Sequence, residues 1–165
     1  RLFFFERSLL RFSGMSGLGP GEVEDAGELQ FGSDFNDAEA MLLNEVYMML
    51  ESRERSLIKM AESSRAEAKA NTLASSILAK TKQYCERFQT PNLDPQIREL
   101  RQQLSRPLES GPNVGESLKS FQIASIVNLQ PDNAEEAKAI IPSLKNFEND
   151  EVEHFLKIYR QISAG

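Results

Sequence analysis

The segment NAEEAKAIIPSL, residues 133–144, decides the fold, because it begins as a good helix and then reaches a proline. Alanine, glutamate and lysine favour the helical state. The apolar positions of this helix are Ala137, Ile140, Ile141 and Leu144. Pro142 lacks an N–H group and would clash with the carbonyl group of Lys138, so the helix is predicted to end near Ile141. A compact bundle of short helices needs such a corner, and Leu144 is expected to fold back onto the Ile140–Ile141 pair.

The residues on either side of this corner predict two more helices. LKSFQIASIVNLQP, residues 118–131, has apolar side chains around its whole helical circumference, which is typical of a helix in the middle of a bundle. FENDEVEHFLKIYRQIS, residues 147–163, has an inward stripe of Val152, Phe155, Leu156, Tyr159 and Ile162. The predicted capping pairs are Asp132 or Asn133 with Glu135 or Glu136 for the 133–144 helix, and Asp150 with Glu153 for the last helix.

The first strong helix is predicted to start in FNDAEAMLLNEVYMMLESRE, residues 35–54, with Asn36 as its cap and Glu39 in the capping-box position. Its apolar positions cover an arc of roughly 180°. They are Ala38, Leu42, Leu43, Val46, Tyr47, Met49 and Leu50. A helix covered on one side needs a narrower stripe, so this helix either contacts two bodies or lies at the centre of a bundle.

The middle of the chain predicts an undecided segment and then a second and a third helix. Residues 53–69 either extend the first helix or form a mobile connection. The next helix has its apolar residues at Leu73, Ile77, Tyr84 and Phe88 and is interrupted by QTPN, residues 89–92. A third has Asp94 as its cap, Pro95 in its first position and an inner stripe of Ile97, Leu100 and Leu104. Residues 105–117 are predicted to be a loop.

These patterns predict an all-α fold, a small helical bundle with an extended N-terminal arm. ELQFGSDF, residues 28–35, alternates only weakly and is predicted to be an edge strand or an extended arm that leans on another element. Residues 1–14 are interpreted as upstream, non-native sequence ahead of Met15, or as an organelle-targeting peptide. No apolar run reaches 18 residues, so no membrane span is predicted.

Charge divides the chain and bears on its partners. Residues 15–52 contain nine acids and no base, which suits either a basic partner or an acidic solvated arm. Residues 53–106 contain eleven bases and six acids. These bases could contact a nucleic-acid backbone, although their interleaving with acids favours a solvated helix face.

Residues with catalytic or ligating chemistry are few. His154 is the only histidine and is interpreted as a solvated helix residue. Cys85 is the only cysteine, and no histidine lies close to it in sequence to activate it. SGLGPG, residues 16–21, neither follows a strand nor carries the Lys-Ser/Thr pair of a phosphate loop. We therefore expect no catalytic residue, no cofactor and no metal.

Two stretches resemble the family of the fourth subunit of RNA polymerase II, and a third lies where that family has its last helix. FQIASIVNLQPDNAEEAKAIIPSL (121–144) is similar to the C-terminal signature of that family, with the Ile-Pro-Ser-Leu corner as its most specific part. FNDAEAMLLNEVYMMLESR (35–53) resembles the first helix, and FENDEVEHFLKIYRQI (147–162) takes the place of the last one. The resemblance runs from about Leu29 to Ile162, with differences in residues 53–72 and 107–117.

This resemblance implies a small helical domain of the type seen at helicase C-termini. It implies a helical stalk-subunit domain at 29–165, with an arm and first helix at 29–53 and a C-terminal bundle at 72–165. Residues 1–28 are expected to be disordered or non-native. The implied protein is a non-catalytic nuclear subunit. It pairs with the seventh subunit to form the stalk of the polymerase, and through that partner it reaches the polymerase core. The pair acts in transcription initiation and later steps, and the partner makes most of the contact with nascent RNA.

The resemblance also offers an explanation for the wide apolar arc of the first helix. One side of the helix would pack on its own bundle and the other side on the partner subunit. The predicted contact residues are Leu29, Phe31, Phe35 and part of the set Leu42, Leu43, Val46, Tyr47 and Leu50. Two alternatives remain open at this point. One is a freestanding helical nucleic-acid-binding module that uses the basic middle section, and the other is an organelle protein guided by residues 1–14.

Overall fold

A computed structural model of the protein describes residues 24–32, 35, 38–63, 71–91 and 93–164, without the side chains of residues 60–63 and 71–75. The described residues form six α-helices and no β-strand. The helices are α1 Leu43–Ser63, α2 Asn71–Phe88, α3 Ile97–Leu104, α4 Ser120–Leu129, α5 Ala134–Ile140 and α6 Asn149–Ser163. The predicted all-α class and small bundle are confirmed.

Helices α3 to α6 enclose the core, with α4 in its middle. Five residues of α4 are buried, namely Gln122, Ile123, Ala124, Ile126 and Val127. The predicted stripe of α3 is buried at Ile97, Leu100 and Leu104. The predicted stripe of α6 is buried from Val152 to Tyr159, while Ile162 is half-buried against the core. Apolar periodicity therefore predicted the inward faces of these helices correctly.

The proline corner ends α5 as predicted. The N–H of Ile141 donates to the carbonyl of Ala137 at 2.8 Å, and a 3₁₀ turn, Pro142–Leu144, follows directly. Leu144 and Ile141 are both buried, but Ile140 is 44% exposed. Successive helix residues point about 100° apart, so only one member of the Ile140–Ile141 pair can face the core. Ile141 and Leu144 therefore enter the core together, whereas Ile140, which was expected to belong to the same apolar face, points to solvent.

The caps agree with the predictions in one helix and differ in two. Asn133 caps α5 by accepting from the N–H of Glu136 at 2.9 Å. At α6 the capping pair lies two residues earlier than predicted, because the N–H of Glu148 donates to Glu151 Oε2 at 2.8 Å. The predicted Glu153 instead accepts from the N–H of Ala134 at 2.6 Å and so ties α5 to α6. Asp94 lies in a 3₁₀ turn before α3 and accepts a hydrogen bond from the Asn44 side chain.

Helix α1 starts later and ends later than predicted. Its first residue is Leu43, and the predicted cap Asn36 lies outside the described residues. Residues 38–42, including Glu39, are not helical. At the end, α1 continues beyond Arg53 to Ser63, so the first part of segment 53–69 extends the helix, and residues 64–70 lie outside the described part.

The arm at residues 24–32 is not a strand of a sheet. It contains a 3₁₀ turn, Ala26–Glu28, closed by a single antiparallel bridge between Asp25 and Gln30. Glu28 forms an ion pair with Lys145, next to the Pro142–Leu144 turn. The arm therefore packs against the proline corner of the bundle.

Candidate partner-binding surface

Helices α1 and α2 form an antiparallel hairpin at one end of the bundle. Asn44 at the start of α1 bonds to Thr90, just after the end of α2, which places these two ends side by side. Farther along, Lys82 of α2 forms an ion pair with Glu54 of α1 at 2.6 Å. The Lys82 ammonium also lies 5.6 Å from the ring centroid of Tyr47. These contacts fix the inner face of the hairpin, and no other described element packs on its outer faces.

The outer face of α2 carries a stripe of large apolar side chains, which we call the α2 stripe. Its members are Ile77, Tyr84 and Phe88, with exposed fractions of 59%, 56% and 47%. Their spacing of seven and four residues places them within about 40° of each other around the helix. The rings of Tyr84 and Phe88 lie 4.8 Å apart, so the exposed apolar surface is continuous there.

The predicted contact residues between Leu42 and Leu50 divide into two groups. Leu42 is fully buried in the core of the bundle and has no surface to offer a partner. The other four, Leu43, Val46, Tyr47 and Leu50, are half-buried. They keep part of their apolar surface in water on the same hairpin that carries the α2 stripe.

The predicted contact residues of the arm are partly used inside the chain. The ring of Phe31 packs on that of Phe121 in α4, with centroids 4.9 Å apart, and both residues are half-buried. Leu29 is half-buried in a left-handed backbone conformation, with a φ of 57°. Phe35 is 57% exposed. The arm thus holds Phe31 on the bundle and leaves Phe35 open.

A half-buried charge pair joins the hairpin to the bundle. Arg101 of α3 donates to both carboxylate oxygens of Glu45 in the first turn of α1, at 2.6 and 2.5 Å. Burial alone would raise the pKa of Glu45, but the bonds from Arg101 and from the N–H of Leu42 outweigh it and lower that pKa. The same pair raises the pKa of Arg101, so both groups remain charged at neutral pH.

Groups with catalytic or ligating potential lie apart in the described structure. Cys85 is buried, and this burial raises the pKa of its thiol. His154 is exposed on α6. Within residues 24–164, gaps excepted, no three metal-ligating side chains come together. No helix in this part of the chain has the length and apolar character of a membrane span.

The sequence prediction missed the α2 stripe and Arg101. The spacing of Ile77, Tyr84 and Phe88 was correctly assigned to a helix, but nothing in it told whether the stripe faces inward. A usable signal for an uncovered hairpin was the wide apolar arc of α1 together with a second amphipathic helix directly after it. Arg101 had no signal, because it lies beside the buried stripe of α3 and differs in no visible way from Arg98.

Comparisons with known proteins identify the family of this chain. A family model described as RNA polymerase Rpb4 matches residues 40–163, which include all six helices. The chain is 34% identical over 146 residues to DNA-directed RNA polymerase II subunit rpb4 of Dictyostelium discoideum, covering 82% of this chain and 86% of that protein. It is 31% identical over 124 residues to DNA-directed RNA polymerase II subunit 4 of Arabidopsis thaliana, covering 75% and 79%. The chain therefore belongs to the RNA polymerase Rpb4 family, the non-catalytic fourth subunits of RNA polymerase II.

Proposed function

We propose that this chain pairs with the seventh subunit of RNA polymerase II and that the pair forms the stalk on the polymerase core. The chain then reaches the core through that partner and acts in the nucleus, in transcription initiation and in later steps. Membership of the family supports the polymerase as the setting. The observation that carries the pairing is the exposed α2 stripe on a hairpin whose α1 residues are also incompletely buried.

The physical argument rests on the cost of leaving such residues in water. Burying apolar surface is worth roughly 25 cal/mol per Å². Contiguous exposed apolar surface on a soluble protein typically marks an interaction site. Aromatic side chains such as Tyr84 and Phe88 are frequent anchors at protein interfaces. A protein partner that covers the hairpin removes this cost.

The proposed contact surface consists of the α2 stripe and the residues predicted from the sequence, except the buried Leu42. That set is Leu29, Phe31, Phe35, Leu43, Val46, Tyr47, Leu50, Ile77, Tyr84 and Phe88. The proposed pairing unit is the predicted domain at 29–165. Its arm and first helix start at Leu29, and its C-terminal bundle covers 72–165. Residues 1–28 are proposed to be unnecessary for pairing.

A freestanding nucleic-acid-binding module is the second candidate, and one observation favours it. The guanidinium group of Arg87 lies 5.3 Å from the ring centroid of Phe88, beside Tyr84. Exposed aromatic rings next to cations are surfaces on which single-stranded nucleic acids stack. Arg55 and Lys82 on the same hairpin are already paired with carboxylates of α1, which weakens its positive potential. We therefore rank this function second and assign most of the contact with nascent RNA to the partner.

The proposal is tested by light scattering on the full chain, alone and with the seventh subunit of the same polymerase II. We expect a stable 1:1 complex from the unmodified chain. The double variant Ile77→Asp with Phe88→Asp should lose it, because two exposed anchors become charged without disturbing the core. The matched control is Val114→Asp with Ile140→Asp, which adds the same charge at exposed apolar residues outside the hairpin and should pair normally.

Two results would count against the proposal. A well-behaved monomer that ignores the seventh subunit would overturn it. Pairing that survives the change at Ile77 and Phe88 but fails in the control variant would move the surface away from the hairpin. In the first case, salt-dependent binding of a single-stranded RNA by the chain would favour the second candidate.

A further inference from the structure

The segment before α1 is held in a conformation that its own sequence does not favour. Residues 38–42, AEAML, contain good helix formers, yet the helix begins only at Leu43. The segment runs along α4 instead, where the N–H of Ala40 donates to Ser120 Oγ at 3.4 Å. A backbone that gives up helical hydrogen bonds needs other partners. The bundle supplies them.

Arg101 is one of these partners, and the same side chain also binds the carboxylates of Glu39 and Glu45. Its Nη2 donates to the carbonyl oxygen of Ala40 at 2.8 Å and to Glu45 Oε2 at 2.5 Å, while its Nε donates to Glu45 Oε1 at 2.6 Å. Its Nη1 lies 3.5 Å from a carboxylate oxygen of Glu39. Glu45 Oε2 in turn accepts from the N–H of Leu42 at 2.8 Å. One guanidinium group thus fixes both the lead-in segment and the first turn of α1.

The first turn of α1 has two further polar attachments to its surroundings. The N–H of Leu43 donates to Asn128 Oδ1 of α4 at 3.0 Å. The Asn44 amide donates to the Thr90 carbonyl at 2.9 Å and to Asp94 at 2.8 Å, and it accepts from the N–H of Thr90 at 3.1 Å. Beyond this turn, the main packing partner of α1 is α2. The direction of the hairpin is therefore set at its base.

We propose that Arg101 is a positioning residue for pairing, because it sets the angle at which the hairpin leaves the bundle. This inference rests on the proposed function, in which the hairpin carries the surface that binds the seventh subunit. A planar guanidinium group bonded to both oxygens of a carboxylate fixes orientation as well as distance. Arg101 and Glu45 side chains are only 18% and 19% exposed, so water competes weakly for these bonds. Without Arg101, the hairpin samples several angles and its surface is less often in the pairing geometry.

The test measures the hairpin angle and the affinity separately, on the full chain. Spin labels at Ser56→Cys in α1 and Lys157→Cys in α6, both at exposed positions, report the distance between hairpin and bundle. Buried Cys85 is replaced by alanine in every sample. Arg101→Met should broaden the distance distribution and weaken pairing with the seventh subunit by about 10- to 100-fold. Arg98→Met, on an exposed arginine of the same helix, should change neither.

The variant Arg101→Lys distinguishes orientation by two-point hydrogen bonding from the effect of the positive charge alone. Lysine keeps the positive charge but loses the two-point fork, so it should recover only part of the affinity and leave the distribution broad. Binding of the seventh subunit should narrow the distribution again in the Arg101 variants. An unchanged distance distribution in Arg101→Met would overturn the inference, as would full recovery by lysine. If the unmodified chain does not pair at all, the proposed function fails, and the distance measurement still decides whether Arg101 positions the hairpin.

Discussion

The α3–α6 bundle and the α1/α2 hairpin contain similar lengths of helix but bury them very differently. In the bundle, Leu100, Ile126, Val152 and Leu156 have no more than a trace of exposed surface. In the hairpin, the only buried residues among the described side chains are Asn44 and Cys85. The bundle has a complete core of its own. The described side chains of the hairpin form a contact face between its two helices but no enclosed core.

This difference shows which part of the chain specifies its own fold. A bundle with a closed core is stabilised by contacts within the chain, because its apolar surface is already removed from water. A two-helix hairpin gains less from itself, since isolated helices are marginal in water and depend on tertiary packing. The hairpin is thus the region in which a partner contributes most. The following predictions test that contrast.

The largest expected effect is on pairing, from Val46→Asp combined with Leu50→Asp. Both side chains are half-buried on α1 and belong to the proposed contact surface. Burial of each large apolar side chain is worth about 1.5–3 kcal/mol, so two charges in their place should abolish the complex with the seventh subunit. The loss is measured by titration of the seventh subunit with each variant.

The control for this variant is Ser52→Asp with Ser56→Asp, which adds the same charge at exposed positions of the same helix. Circular dichroism of the free chain should show little change in either variant, because the bundle keeps its core. Unchanged pairing in the Val46 and Leu50 variant would contradict the assignment of this surface.

The second effect is on stability and compares one deletion in each region. Leu156→Ala removes a fully buried side chain of the bundle and should lower the free energy of unfolding by about 2–5 kcal/mol. Ile77→Ala shortens a side chain that is 59% exposed and should change it by less than about 0.5 kcal/mol. Urea unfolding of the chain alone measures both. With the seventh subunit present, the loss of unfolding free energy caused by Ile77→Ala should increase toward that of Leu156→Ala, since the partner then covers Ile77.

The bundle could be predicted from the sequence because its signals are local. Apolar spacing indicated the buried faces of α3 and α6, and apolar residues all round α4 indicated its central place. The missing N–H of Pro142 fixed the end of α5. These features depend on residues within one or two helical turns of each other.

The base of the hairpin could not be predicted because its causes lie far away in sequence. Arg101 and Glu45 are 56 residues apart, and Leu43 and Asn128 are 85 apart. The capping-box pattern at Asn36 and Glu39 is locally sound, but tertiary hydrogen bonds hold residues 38–42 out of the helix. For the same reason the exposure of the α2 stripe could not be predicted, because apolar spacing along a helix does not show whether another element covers that face.

The smallest effect concerns Glu151, which ties the loop at 105–117 to the bundle and is only 4% exposed. Its carboxylate accepts from the backbone N–H and side-chain amide of Asn113, at 2.9 and 2.7 Å, and from the N–H of Glu148 at 2.8 Å. Glu151→Gln puts an NH₂ group where an oxygen accepts, leaving a donor facing a donor. We expect a loss of about 1–3 kcal/mol in unfolding free energy at pH 7.

The pH dependence of this loss distinguishes the carboxylate from mere packing. Burial alone would raise the pKa of Glu151, but the hydrogen bonds from Asn113 and Glu148 outweigh it and lower the pKa. The ionised carboxylate therefore stabilises the fold above the unfolded-state pKa of about 4.3, and this stabilisation is lost as the pH falls through the folded-state value. Unfolding free energies of the unmodified chain and of Glu151→Gln should thus converge as the pH falls below about 4.3 and through the lowered folded-state pKa of Glu151. Glu109→Gln, at an exposed position of the same loop, is the matched control and should change the unfolding free energy at pH 7 by less than about 0.5 kcal/mol. A gap between Glu151→Gln and the unmodified chain that stays constant with pH would show that shape alone holds the loop.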